Sequence, residues 1–185
     1  MATVAHAGTE VPAILDIEAS GFGAGSYPIE IGYVSRDGSS YCTLIRPAPG
    51  WTHWDPKAQA VHGISRELLL RHGREVKDVA RDLNERLDGK VLYSDGWGND
   101  FVWLSKLYDE AGLIPRFRVE SLRSLLNDAE AGMWHAAKDS VAADLLSTRH
   151  RASTDAQLLQ HALMRVKGMQ PAGGTGEARR FISGP

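Results

Sequence analysis

Cysteine is nearly absent: the 185 residues contain one, Cys42. A single thiol excludes a disulfide framework and a thiolate zinc site within one chain. It lies in an apolar, strand-like run, so a buried thiol is expected. An excess of one charge is lacking too. Lys and Arg number 21 against 23 Asp and Glu, for a formal net charge of −2. That balance argues against a wide basic surface gripping long duplex nucleic acid. It is compatible with a small basic patch, or with a metal site that handles phosphate itself. No window reaches the ~18–20 apolar residues of a membrane span. Residues 1–10 lack the basic and apolar regions of a signal peptide, so a cytoplasmic location with no membrane contact is the expectation. No internal repeat is present. The run Gly21-Phe22-Gly23-Ala24-Gly25-Ser26-Tyr27-Pro28 lacks the Lys-Ser/Thr of a phosphate-binding P-loop, and a strand pattern rather than a helix follows it. It is therefore read as a hairpin connection.

What is present is a soluble-domain composition, 43% hydrophobic, long enough for one substantial core. The boundaries expected are a loose lead-in over 1–11, one domain over 12–167 and a flexible Gly/Pro/Ala-rich tail over 168–185. The most informative stretch is Ala13-Ile14-Leu15-Asp16-Ile17-Glu18-Ala19-Ser20-Gly21. It reads as an apolar strand carrying two carboxylates two residues apart. Side chains at i and i+2 leave one face of a strand, so Asp16 and Glu18 point together. Paired carboxylates repel, and a hard divalent cation such as Mg²⁺ or Mn²⁺ relieves the repulsion. The competing reading is a strand end reaching solvent, where acidic residues are common.

Alternation predicts further strands over 29–34 and 41–45, giving a three-strand meander. Residues 47–65, with three prolines and two tryptophans, read as irregular. Ser65 reads as an N-cap, and Val76, Val79, Ala80, Leu83 and Leu87 fall at helical spacing. A short strand at 91–93 precedes a turn over 94–99 and a helix from about Asp100 to Ala111. A fifth strand near 117–119, a helix over 121–129, a helical piece around 141–146 and a last helix through Val166 complete the reading. The order describes a mixed α/β domain. Asp100 thus lies just past a strand end, at the rim where open α/β sheets bind ligands. Asp155 opens the last helix, five residues after His150.

Together these pieces resemble the DEDDh family of 3′–5′ exonucleases, which includes polymerase proofreading subunits and RNase T. Asp16-Ile17-Glu18 with Ala19-Ser20-Gly21 matches the first motif, Asp100-Phe101-Val102-Trp103-Leu104 the second, and His150-Arg151-Ala152-Ser153-Thr154-Asp155 the third. Pro28-Ile29-Glu30-Ile31-Gly32 looks like the family's second strand, and Val61-His62-Gly63-Ile64-Ser65 is similar to its His-Gly-Ile segment. Ala19-Ser20 stands where the family often has a threonine pair. Asp95-Gly96-Trp97 stands where it often has His-Asn.

The resemblance implies a ribonuclease H-like exonuclease fold, with a central mixed sheet of about five strands flanked by helices. It implies phosphodiester hydrolysis at single-stranded DNA or RNA 3′ ends, releasing nucleoside 5′-monophosphates with two Mg²⁺ or Mn²⁺ ions per site, roughly 4 Å apart. Asp16, Glu18, Asp100 and Asp155 would be the metal ligands and His150 the general base. His62 and Ile64 would pack against the terminal nucleotide, or simply form a structured turn. Phe22 and Trp97 would stack on bases, or fill core. Glu30 shares a strand face with Gly32 and has no assigned place in the site. Relatives of this kind pair as homodimers or sit on a polymerase, and the sequence does not select between those partners. Two other readings stay open: a non-catalytic nucleic-acid- or polymerase-binding module of the same fold, and a hydrolase of nucleotides or other small phosphoesters.

Overall fold

A computed structural model describes residues 11–145 and 151–169. The order of elements is β1 (Ala13–Ala19), β2 (Pro28–Val34), β3 (Ser40–Leu44), α1 (Pro56–His62), α2 (Arg66–His72), α3 (Val76–Leu87), β4 (Val91–Ser94), α4 (Trp97–Ala111), β5 (Arg118–Ser121), a 3-10 turn (Leu122–Leu125), α5 (Asp128–Leu145) and α6 (Ala152–Val166). The five strands form one sheet in the order β3-β2-β1-β4-β5. β1 runs antiparallel to β2, and β2 to β3, whereas β4 is parallel to β1 and β5 to β4. The expected mixed α/β sheet of five strands is the one observed.

Alternation along β1 and β2 divides the core in two. Leu15 and Ile17 of β1 join Ile29, Ile31 and Tyr33 of β2 in a cluster with α3 and α4. Ile14 and Val34 face the other way, into a cluster with Trp134, Val141, Ala156, Leu159 and Leu163 of α5 and α6. The period of two then puts Asp16 and Glu18 on the α5–α6 face, and Glu30 and Gly32 beside them. In register, Asp16 opposes Gly32 and Glu18 opposes Glu30.

Several local expectations differ from the structure. Residues 56–62 are helical rather than irregular: Asp55 caps α1 by accepting from the Lys57 N–H at 2.8 Å, Pro56 fills the first turn, and Gly63 closes it at φ 70°. α4 starts at Trp97, three residues before the expected position, with Gly96 as a cap that makes no side-chain bond. The segment after β5 is a 3-10 turn, not a helix over 121–129. α5 is one continuous helix, opened by a reciprocal cap in which Asn127 Oδ1 accepts from Glu130 N–H and Glu130 Oε2 accepts from Asn127 N–H, both at 2.9 Å. Cys42 is exposed, not buried, because it lies on the edge strand β3 where the sheet's cover ends. Among the described residues no helix is long and apolar enough to cross a membrane. The lead-in over 1–10 and the tail from 170 lie outside the described residues.

Candidate active site

Asp16 and Glu18 leave β1 on one face, and α6 crosses that face with Asp155 in its first turn. Among the described residues these three form a metal-competent set: one carboxylate oxygen from each lies within 4.8 Å of the others. Asp100, on the first turn of α4, is outside that set of three but borders the same cleft. It is 3% exposed and accepts a short hydrogen bond from the Ser94 hydroxyl at the end of β4. The cleft has a volume of about 570 Å³.

The electrostatics of this arrangement are unfavourable without a cation. Burial, then the charges of Asp100, Glu18 and Asp155, hold Asp16 well above the ordinary carboxylate range. Burial and the Asp155 charge push Glu18 up to about 7, and the Arg151 guanidinium opposes this more weakly. Asp100 is also pushed up to about 7, chiefly by burial; the Ser94 hydrogen bond works against the shift and Asp95 adds to it. Hard oxygen donors that converge and repel fit a divalent cation such as Mg²⁺ or Mn²⁺, which the donor set would hold with its carboxylates ionised.

A pH dependence follows. In the folded, metal-free protein Glu18 and Asp100 keep protons that the unfolded chain releases near pH 4.5 and 3.8. Their contribution to stability is therefore complete at low pH and is lost as pH rises from about 4 through 7. In EDTA, the melting temperature is expected to fall across that window, and Glu18→Gln should flatten the slope. Mg²⁺ should then raise the melting temperature more at pH 8 than at pH 5. An identical slope in Glu18→Gln, measured by scanning calorimetry, would reject the assignment.

The cleft walls come from several elements. Phe22 stands on the glycine-rich connection, 70% exposed, with its ring centroid 5.9 Å from that of Trp103 on α4. That connection turns at Gly21, whose φ of 144° would strain any side chain, and an added Cβ would sit 2.7 Å from Asp55 Cβ. The Trp103 indole donates to Ser26 Oγ at 2.9 Å, and Lys106 Nζ to the Ser26 carbonyl at 2.7 Å, so α4 holds the loop in place. His62 also lines the cleft, and its Nδ1 accepts from the Ile64 N–H at 3.0 Å. Two cations line it as well, Lys57 on α1 and Lys138 on α5.

Two sequence-based candidates are placed elsewhere. Ile64 is 1% exposed within the larger core cluster and is not among the described residues lining the cleft. Trp97 is likewise not among them; its indole donates to the Val119 carbonyl at 2.9 Å and its ring packs on Phe101 at 5.5 Å. His150 lies outside the described residues. Glu30, Asp95, Lys57 and Lys138 had no role in the site assigned from sequence. Glu30 is fully buried and grips Arg151, while Asp95 accepts from the Trp134 indole at 2.8 Å and from Lys138 Nζ at 2.6 Å. Asp95 thereby pins α5 to the turn beyond β4. Glu30, Asp95 and Arg151 lie within segments quoted for the resemblance, but their contacts join residues too distant for any spacing rule.

No known sequence family matches the chain, and no curated protein matches it. Solved structures do. Exonuclease I of E. coli, in complex with a dA16 oligonucleotide, superposes with a TM-score of 0.64 at 12% identity, over 86% of this chain and 41% of that one. The fold is that of the ribonuclease H-like exonucleases. Exonuclease I of Methylocaldum szegediense gives 0.62 at 12% identity over the same shares of the two chains. S. pombe Pop2p in its Mg²⁺- and Mn²⁺-bound form gives 0.53 at 14% identity, covering 86% of this chain and 83% of Pop2p. The chain thus spans about two fifths of the length of the exonuclease I chains that it matches.

Proposed function

We propose that this chain is a divalent-metal-dependent 3′–5′ exonuclease acting on single-stranded DNA or RNA and releasing nucleoside 5′-monophosphates. The observation that carries the reading is the Asp16, Glu18 and Asp155 set, its oxygens within 4.8 Å, open to a cleft. Two of the structural neighbours support it by their own ligands, a dA16 strand in one and Mg²⁺ with Mn²⁺ in the other. Asp16, Glu18 and Asp155 would hold one ion, and Asp100 with Asp16 a second. When bound, the ions supply charge stabilisation for the phosphate and lower the pKa of water. His150 accepts the proton of the attacking water. Phe22, exposed beside Trp103, offers a face on which a terminal base stacks without sequence preference. Lys57 and Lys138 supply the cleft with positive charge for backbone phosphates. His62 borders the same space and contributes to the wall against the terminal nucleotide.

Digestion of 5′-labelled single-stranded DNA and RNA of one sequence, with Mg²⁺, Mn²⁺ or EDTA, tests the reading. A ladder that shortens from the 3′ end with either ion and stops in EDTA is the expected result. Binding of the strand without cleavage would point to the non-catalytic module. Hydrolysis of free nucleotides alone would point to the small-phosphoester hydrolase. A homodimer or polymerase partner is an independent question that gel filtration with and without the candidate partner answers.

A further inference from the structure

We propose that Glu30, Gly32 and Arg151 together form a positioning device that sets Asp155 against Asp16 and Glu18. The inference rests on reading those three carboxylates as ligands of a divalent cation. The N-cap residue of α6 is Arg151, in extended backbone, and its own side chain makes no cap hydrogen bond. Glu30 supplies the cap from β2, 122 positions away, by accepting the Ala152 N–H at 2.9 Å. The same carboxylate receives the Arg151 fork, Nε at 2.9 and 3.1 Å and Nη2 on Oε1. Such a fork fixes direction as well as distance. The Arg151 carbonyl in turn accepts the Asp155 N–H at 2.9 Å. One carboxylate therefore fixes Arg151 and Ala152, and through them the backbone of Asp155.

Gly32 sets the height of the helix over the sheet. A Cβ there would lie 2.3 Å from the Ser153 nitrogen and 2.5 Å from the Ala152 carbonyl carbon, both backbone atoms that cannot swing aside. The two residues of β2 that face Asp16 and Glu18 in register, Gly32 and Glu30, are thus the two that receive the first turn of α6. Stability alone is a poor reason for this choice. Glu30 is fully buried and its charge adds to the repulsion at Asp16 and Glu18. The Arg151 side chain that pairs with it is 47% exposed, so the use assigned to the pair here is to fix direction and distance at the start of α6.

The test is Mn²⁺ binding by titration calorimetry, on the whole chain, with no substrate present. Glu30→Gln keeps the size of the side chain and an acceptor for Ala152, but loses the charged fork. Arg151→Lys keeps the charge and loses the fork. Each is expected to weaken Mn²⁺ binding about 10–100-fold with an unchanged circular dichroism spectrum. In an Asp155→Asn background the same substitutions should have no further effect, because they act through Asp155. A merely structural role would instead lower affinity equally in both backgrounds, and that result would overturn the inference. Gly32→Ala should act like the other two if it folds; if it does not, Glu30→Gln and Arg151→Lys decide the question between them. Wild-type protein that binds no Mn²⁺ would overturn the metal reading and this inference with it. Wild-type binding that neither substitution weakens would overturn the inference alone.

Discussion

Asp16→Asn is expected to lower nuclease turnover by about 10³-fold or more while raising the melting temperature of the metal-free protein at pH 8. The two effects have one cause. Asp16 is the most crowded of the carboxylates: burial and the charges of Asp100, Glu18, Asp155 and Glu30 all favour its neutral form. Ionised at neutral pH without a cation, it destabilises the fold, because its folded pKa lies above the unfolded 3.8. Asparagine keeps the shape and removes the charge, so the metal-free protein gains stability above that pKa and gains nothing well below it. On the proposed reading, the same removal also takes away one oxygen ligand of the metal-competent set. Charge stabilisation by a bound metal is worth several kcal/mol, and each 1.36 kcal/mol is about tenfold in rate. Melting curves in EDTA at pH 4 and pH 8, beside initial rates with Mg²⁺, measure both. Full activity in Asp16→Asn would remove Asp16 from the chemistry. Loss of activity with loss of stability at pH 8 would mean that the carboxylates are not in conflict.

That conflict is legible in the sequence only in part. The Asp16-x-Glu18 spacing on an apolar strand fixes which face both carboxylates share, since a strand has a period of two and no other freedom. α3 is legible for the same kind of reason: Val76, Val79, Ala80, Leu83 and Leu87 recur at helical spacing and all are buried. α1 is not, because His62 is its one buried residue, so no apolar period exists to be read. Its signals are of another kind, Asp55-Pro56 at the start and Gly63 at the end. α5 is obscured likewise: its buried face is narrow, with Trp134, Ala137 and Val141, while the Asn127-x-x-Glu130 cap marks its start. Ile64 looks like a substrate contact by its place in a motif, yet its side chain turns into the core. The grip of Glu30 on Arg151 joins residues 121 positions apart, and local patterning holds no information at that range.

His150→Ala is expected to cut turnover by about 10²–10⁴-fold while leaving Mn²⁺ affinity unchanged. The protons available in the site lead to this result. In the metal-free protein Glu18 and Asp100 titrate near 7. As metal ligands they must be ionised and engaged, and an opposite charge nearby lowers their pKa. They are then poor acceptors for a proton from water at neutral pH. An imidazole with a pKa near ~6.5 is neutral there and accepts one readily. Glu30 anchors the side chain of Arg151, the residue that follows His150 in the sequence, and the Arg151 carbonyl accepts the Asp155 N–H. The wild-type pH–rate profile should therefore carry an acid limb that is absent from His150→Ala. An unchanged rate would move the base to another residue. A rate loss matched by weaker Mn²⁺ binding would make His150 a support for the ligands rather than the proton acceptor.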